Sequence, residues 1–144
     1  ALIAKKLKLI DFSIDAATPE TYKKIRRSDF SLVTKNIQRL SEIKRELGAR
    51  HPIIKLNMTL MNENLREVVP FIEMAGRLEA EIVHLGLLNP FKDYRVDNGS
   101  FAFRYKNQMI DTNSDFFKKT ITRAKQKAAE LNIRLYLEFS TYYS

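Results

Sequence analysis

This sequence predicts an α/β fold of parallel strands alternating with helices, built as part of a (β/α) barrel. Three observations point to it. Apolar runs of strand length alternate with segments of helical period, in the order strand–helix–strand–helix–strand–loop–helix–strand. Two of the strands carry one apolar and one polar face: Ile10, Phe12 and Ile14 alternate with Asp11, Ser13 and Asp15, and Ile54, Leu56, Met58 and Leu60 with Lys55, Asn57 and Thr59. The helix starts carry their own signals, Thr18-Pro19 foremost. Strands that alternate with helices pair in parallel through right-handed crossovers. A doubly wound sheet makes its strands apolar on both faces, so a polar face on each of two strands is better explained by a barrel interior that opens onto a pocket.

The elements follow in order. Ala1 to Lys6 reads as the end of a helix cut off from its beginning, and Leu7 to Ile14 as the first strand. Thr18 caps a short helix over Pro19 to Arg26, where proline at the first position loses no hydrogen bond. Asp29 or Ser28 caps the next helix, which runs to about Leu47. In it Val33, Ile37, Leu40, Ile43 and Leu47 form one stripe, and Gly48 suits a left-handed end. Ile53 to Met61 is the second strand. Asn64 with Glu67 three residues later resembles a capping box. Val68, Ile72, Ala75 and Leu78 supply that helix's stripe, and Pro70 implies a kink or a later start. Glu81 to Leu87 is a short apolar strand. Asn89 to Asn113 is long and irregular, the kind of loop that carries function or lacks order, with a short hairpin or helical turn near Phe101 to Lys106. Ser114 to Leu131 is the last helix, with Phe117, Ile121, Ala124, Ala128 and Leu131 inward, and Ile133 to Phe139 the last strand.

The length fits one domain over 1–144. No apolar run approaches the ~20 residues that span a bilayer, and no signal peptide is visible, so no membrane partner and a cytoplasmic setting are expected. The first residue is Ala1, which suggests a trimmed or excised piece. The chain contains no cysteine, so it can form neither disulfides nor thiolate metal sites of its own. The net charge of +8 permits attraction to anionic partners, although solvated helix faces account for most such charge.

The string Ser13-Ile14-Asp15-Ala16-Ala17-Thr18-Pro19-Glu20-Thr21-Tyr22, followed by Lys24-Ile25-Arg26, resembles the fourth barrel strand and following turn of radical S-adenosylmethionine (SAM) enzymes. The similarity continues through Asn36-Ile37 and Leu40 and from Leu60 to Val68, is clear from about Leu9 to about Leu88, and is weak beyond. It implies the second half of that family's partial, TIM-like (β/α) barrel. The family holds a 4Fe–4S cluster with three cysteines spaced C-x3-C-x2-C early in the domain, and here there are none. The resemblance therefore implies a fragment. Its parent would be an oxidoreductase that cleaves SAM reductively to a 5′-deoxyadenosyl radical acting on a small-molecule or peptide substrate. This chain would contribute SAM and substrate binding, hold neither cofactor by itself, and be inactive alone.

The same resemblance implies the candidate cofactor-binding residues. Ser13 faces the methionine group with Asp15 nearby, Arg26 partners its carboxylate, Asn57 and Thr59 help hold the ribose, and Leu88 with its neighbours approaches the adenine. Each has a competing structural role. Asp15 can cap the turn and Ser13 fill a tight strand end; Asn57 and Thr59 can bond within a barrel lumen; Arg26, in the Lys23–Arg27 run, can be solvated or meet a phosphate. Lys55, lower on the same face, suits an ion pair. His84 suits a satisfied lumen position, and Glu138 an exposed strand end. With His51 the only other histidine, no metal-ligand cluster forms. No Gly-rich phosphate loop, nucleophilic Ser between glycines or catalytic carboxylate pair is present, and Tyr136, Tyr142 and Tyr143 do not form an RNA-stacking motif. The alternative function is a non-catalytic basic α/β domain that binds an anionic partner such as nucleic acid. Its Lys and Arg should then gather on one face; along the sequence they are scattered over several helices. An unclosed barrel also leaves strand edges open, which predicts a homo-oligomer.

Overall fold

The computed structural model describes residues 7–89, 95–97 and 102–139; the side chains of 95–97, 102 and 103 fall outside that description. The expected helix end at Ala1–Lys6, and Tyr142 and Tyr143, lie outside it too. The elements are β1 (Leu9–Ser13), α1 (Pro19–Arg26), α2 (Phe30–Glu46), β2 (Ile53–Leu60), a 3₁₀ turn (Leu65–Glu67), α3 (Val68–Arg77), β3 (Ile82–Leu87), β4 (Arg95–Asp97), β5 (Ala102–Arg104), the single turn α4 (Tyr105–Gln108), α5 (Asp115–Glu130) and β6 (Arg134–Glu138). The architecture is α/β. Four strands form one parallel sheet in the order β1-β2-β3-β6, and the sheet is open. The hairpin β4–β5 is a separate two-stranded piece within the long loop, followed at once by α4, so that segment contains both a hairpin and a helical turn.

Local signals set most boundaries. Thr18 accepts from the Thr21 amide and Pro19 opens α1. Asp29, not Ser28, caps α2 by accepting from Ser31 and Leu32. Gly48 has φ +57°, the left-handed conformation that costs a glycine little. Pro70 does not kink a helix: residues 65–67 make a 3₁₀ turn and α3 starts at Val68, which puts the proline in the first turn, where its missing N–H strands no carbonyl.

The two faces of the sheet differ sharply. Ile54, Leu56, Met58 and Leu60 on β2, with Val83 and Leu85 on β3, pack beneath α3 and α5 around Phe71 and Ile72. The opposite face presents Leu9, Asp11 and Ser13; Lys55, Asn57 and Thr59; Ile82, His84 and Gly86; and Arg134, Tyr136 and Glu138. Backbone pairing aligns Ser13, Asn57, His84 and Tyr136 in one row across the four strands. Three expected core positions turn outward: Ile43 is 37%, Leu47 68% and Leu131 41% exposed. Leu131 covers the backbone at Gly76, where an added Cβ would lie 3.1 Å from its Cδ1.

Candidate functional site

The carboxyl ends of β1, β2 and β3 meet in a network built around Asp15. The strand ends at Ser13, and the amides of Ile14 and Asp15 both donate to the Asn57 carbonyl. Asp15 then takes φ +63°, a left-handed geometry that Asp tolerates better than most residues. Its side chain turns inward and is 5% exposed. One carboxylate oxygen accepts from the Thr59 amide at 2.6 Å, and the other meets Arg26 Nη2 at 2.5 Å. Both oxygens therefore have protein partners, and Arg26 is folded back from the end of α1 over the end of the sheet.

Asn64, fully buried, locks the next layer. Its Oδ1 accepts from the Met61 amide at 3.0 Å, and its Nδ2 donates to the carbonyls of Asp15 and Thr59 at 2.8 and 2.9 Å. Glu67 reaches across to the start of α1. Its carboxylate accepts from the amides of Ala17 and Thr18 and from the hydroxyls of Thr18 and Thr21, at 2.6 to 3.2 Å. The expected capping box between Asn64 and Glu67 is thus absent: Asn64 makes no side-chain cap, and Glu67 serves a different helix 46 to 50 residues earlier. The unbonded amides at the start of α1 compete successfully for the carboxylate.

A pocket of about 440 Å³ opens above this network, lined by Asp15, Lys24, Ile25, Arg26, Arg27, Thr59, Met61, Leu88 and Tyr105. Three cations edge it, and Ile25, Met61 and Leu88 give it an apolar side. Glu63 holds Lys24 at 2.7 Å and raises its pKa above the ordinary lysine value, mainly through that hydrogen bond. The pocket can accept a ligand that joins an anionic group to an apolar or ring-bearing part.

Of the expected site residues, Asp15, Arg26, Thr59 and Leu88 line this one pocket, while Ser13 and Asn57 do not. Those two are neighbours on the open face of the sheet, Ser13 exposed and level with Asn57. Ser13 and Asp15 do not share a side, because the chain leaves extended geometry after Ser13. Asn57 donates to Asp11, and its Oδ1 is buried with no hydrogen-bond partner among the described residues. Lys55 pairs with Asp11 at 2.8 Å, and His84 Nε2 lies 3.1 Å from Glu138. His51 approaches the Lys8 carbonyl at 3.2 Å, at the other end of the sheet. No group of three metal-ligating side chains occurs among the described residues, and no helix among them is long and apolar enough to cross a membrane. Tyr105 and Met61 join the pocket unannounced by any spacing; Tyr105 comes from the aperiodic loop, which offers no pattern to read. No family model matches this chain, and no curated protein matches it in sequence.

Proposed function

We propose that this chain is the SAM-binding half of a radical SAM enzyme's partial, TIM-like (β/α) barrel, in a cytoplasmic parent that acts on a small-molecule or peptide substrate. One observation carries this reading. The ordered string from Ser13 to Arg26 that resembles the family ends in Arg26, and Arg26 folds back onto Asp15 to border a pocket at the carboxyl ends of parallel strands. Ligands of open and barrel α/β folds gather at that end.

The residues fit SAM in two respects. Asn57 Oδ1 is a buried acceptor without a donor, which a ribose hydroxyl would satisfy. The cationic edge suits a carboxylate: Arg26 spends part of its guanidinium fork on Asp15 and keeps other N–H groups, and Arg27 lies beside it. Thr59 joins the two regions, Met61 and Leu88 offer apolar contact, and Asp15 positions Arg26. When bound, the cofactor supplies the radical chemistry, and the protein orients it and the substrate. The 4Fe–4S cluster does not fit here. It needs thiolate ligands, the chain has no cysteine, and no step through a cluster follows from these residues.

Isothermal titration of SAM into the full-length parent tests the proposal. Ser13→Ala and Asn57→Ala are each expected to weaken binding by about 1–2 kcal/mol, the scale of one lost buried hydrogen bond. No SAM binding at all, or unchanged affinity in both variants, would remove these residues from a ligand role. The alternative is a non-catalytic basic domain for an anionic partner such as nucleic acid. Lys24, Arg39, Lys44, Arg45, Lys55 and Lys127 are each paired with a carboxylate, while Lys118, Lys119, Arg123 and Lys125 of α5 are exposed, as a phosphate-binding face would need.

A further inference from the structure

We propose that the turn α4, in the long loop after β3, belongs to the binding pocket: Tyr105 is the contact for the ring of the bound molecule, and Asn62 is the residue that positions it. The inference rests on the reading of the pocket as a SAM site. It adds to that reading a residue beyond Leu88, where the resemblance weakens.

α4 is a single turn of four residues, Tyr105–Gln108, too short to hold helical geometry by itself. The chain fixes it from outside. The Asn62 amide donates to the Gln108 carbonyl at 3.0 Å, and Asn62 Nδ2 donates to the carbonyls of Asn107 and Met109, both at 2.9 Å. The Glu63 amide donates to Gln108 Oε1 at 2.9 Å, and Gln108 is itself buried. These bonds dock the turn on the residues that leave β2 at its carboxyl end. Three of the acceptors are carbonyls at the end of the turn, groups that a helix end leaves unbonded. Asn62 satisfies all three, two of them with the two protons of its side-chain amide.

This docking shapes the pocket. Tyr105, the first residue of the turn, lines the cavity of about 440 Å³ together with Met61 and Leu88. Met61 directly precedes Asn62, so the clamp and the pocket wall share one stretch of chain. Tyr105 is half-buried and stands outside the apolar core of the described residues, so core packing does not account for its position. The cavity therefore joins cations of α1, Arg26 and Arg27, to a wall made by Met61, Leu88 and Tyr105. A molecule that carries an anionic group and a planar ring matches both. An aromatic side chain meets such a ring by offset stacking. In SAM the ring is the adenine, and Tyr105 takes it while the methionine carboxylate lies toward the arginines.

Titration of SAM into the full-length parent reads this as well. Tyr105→Ala is expected to weaken SAM binding about 10-fold, the scale of one lost base–aromatic stack. Tyr105→Phe keeps the ring and is expected to bind within about 2-fold of the parent. Asn62 does not line the pocket. Asn62→Ala is expected to weaken SAM about 3-fold or more, and to add nothing in a Tyr105→Ala background. A general loss of structure would instead weaken both backgrounds alike. Circular dichroism is expected to be unchanged in every variant. Equal SAM affinity for the parent and Tyr105→Ala overturns this inference and leaves the SAM reading standing. Tyr105→Phe as weak as Tyr105→Ala overturns the ring contact. Additive losses for Asn62→Ala and Tyr105→Ala overturn the positioning role of Asn62. Absence of any SAM binding overturns the SAM reading, and this inference with it.

Discussion

Glu67→Ala is expected to lower the free energy of unfolding by about 3–4 kcal/mol, which exceeds the usual effect of one substitution. The carboxylate receives four hydrogen bonds, from Ala17 N, Thr18 N, Thr18 Oγ1 and Thr21 Oγ1. Bonds to a charged partner contribute about 1.5–3 kcal/mol each when taken singly. Here they share one acceptor and the site is only part-buried, so water recovers some of the loss and the sum is well below four times that figure. The charge also faces the positive end of α1, which adds about 0.3–1 kcal/mol. Urea unfolding at unchanged m-value reads the effect as a lower midpoint. Glu67→Gln keeps an acceptor and removes the charge, so it should lose about half as much. A Glu67→Ala chain within about 0.5 kcal/mol of the parent would show that Thr18 alone secures the start of α1.

Asn64→Leu is expected to be at least as damaging, at about 3–5 kcal/mol. Leucine keeps the branched outline of asparagine but is bulkier, so the effect combines lost polarity with some overpacking. The change leaves the Met61 amide and the carbonyls of Asp15 and Thr59 without their partner, in a site where Asn64 is fully buried. Each stranded buried group costs about 1–3 kcal/mol. Asn64→Asp should not rescue it, because a carboxylate oxygen would replace the amide that donates to those two carbonyls. Thermal and urea unfolding check both variants; a loss under about 1 kcal/mol for Asn64→Leu would mean that the strand ends rearrange around the gap.

Much of the fold was legible because its signals act over a few residues. Thr18 with Pro19, Asp29 and Gly48 each dictate a local geometry, and the period-two pattern of β2 survives intact in its burial. Pattern reading went astray where partners lie far apart in sequence. Asn64 and Glu67 have capping-box spacing, yet both are claimed by groups 44 or more positions away or by a competing turn. Period two also places Asp15 beside Ser13, and a single left-handed residue cancels that. At the candidate site, Arg26 was legible from the resemblance, whereas its contact with Asp15 depends on the turn that brings α1 back. The stripe of α2 was overextended at its end: Ile43 and Leu47 follow the helical period but run past the edge of what the sheet can cover.

The carboxylate of Glu67 at the start of α1 also bears on the order in which the chain can assemble. A helix of eight residues is too short to persist in water alone. Its anchoring bonds span 46 to 50 positions, and the Asp15–Thr59 bond beside them spans 44. These contacts have high sequence separation, so their loop-closure entropy is lost before they form. The amino-terminal β1–α1 unit therefore cannot be finished as it emerges. It waits for β2 and the 3₁₀ turn, so a helix too short to persist alone is tied in the native state to β2, whose inward side chains are fully buried.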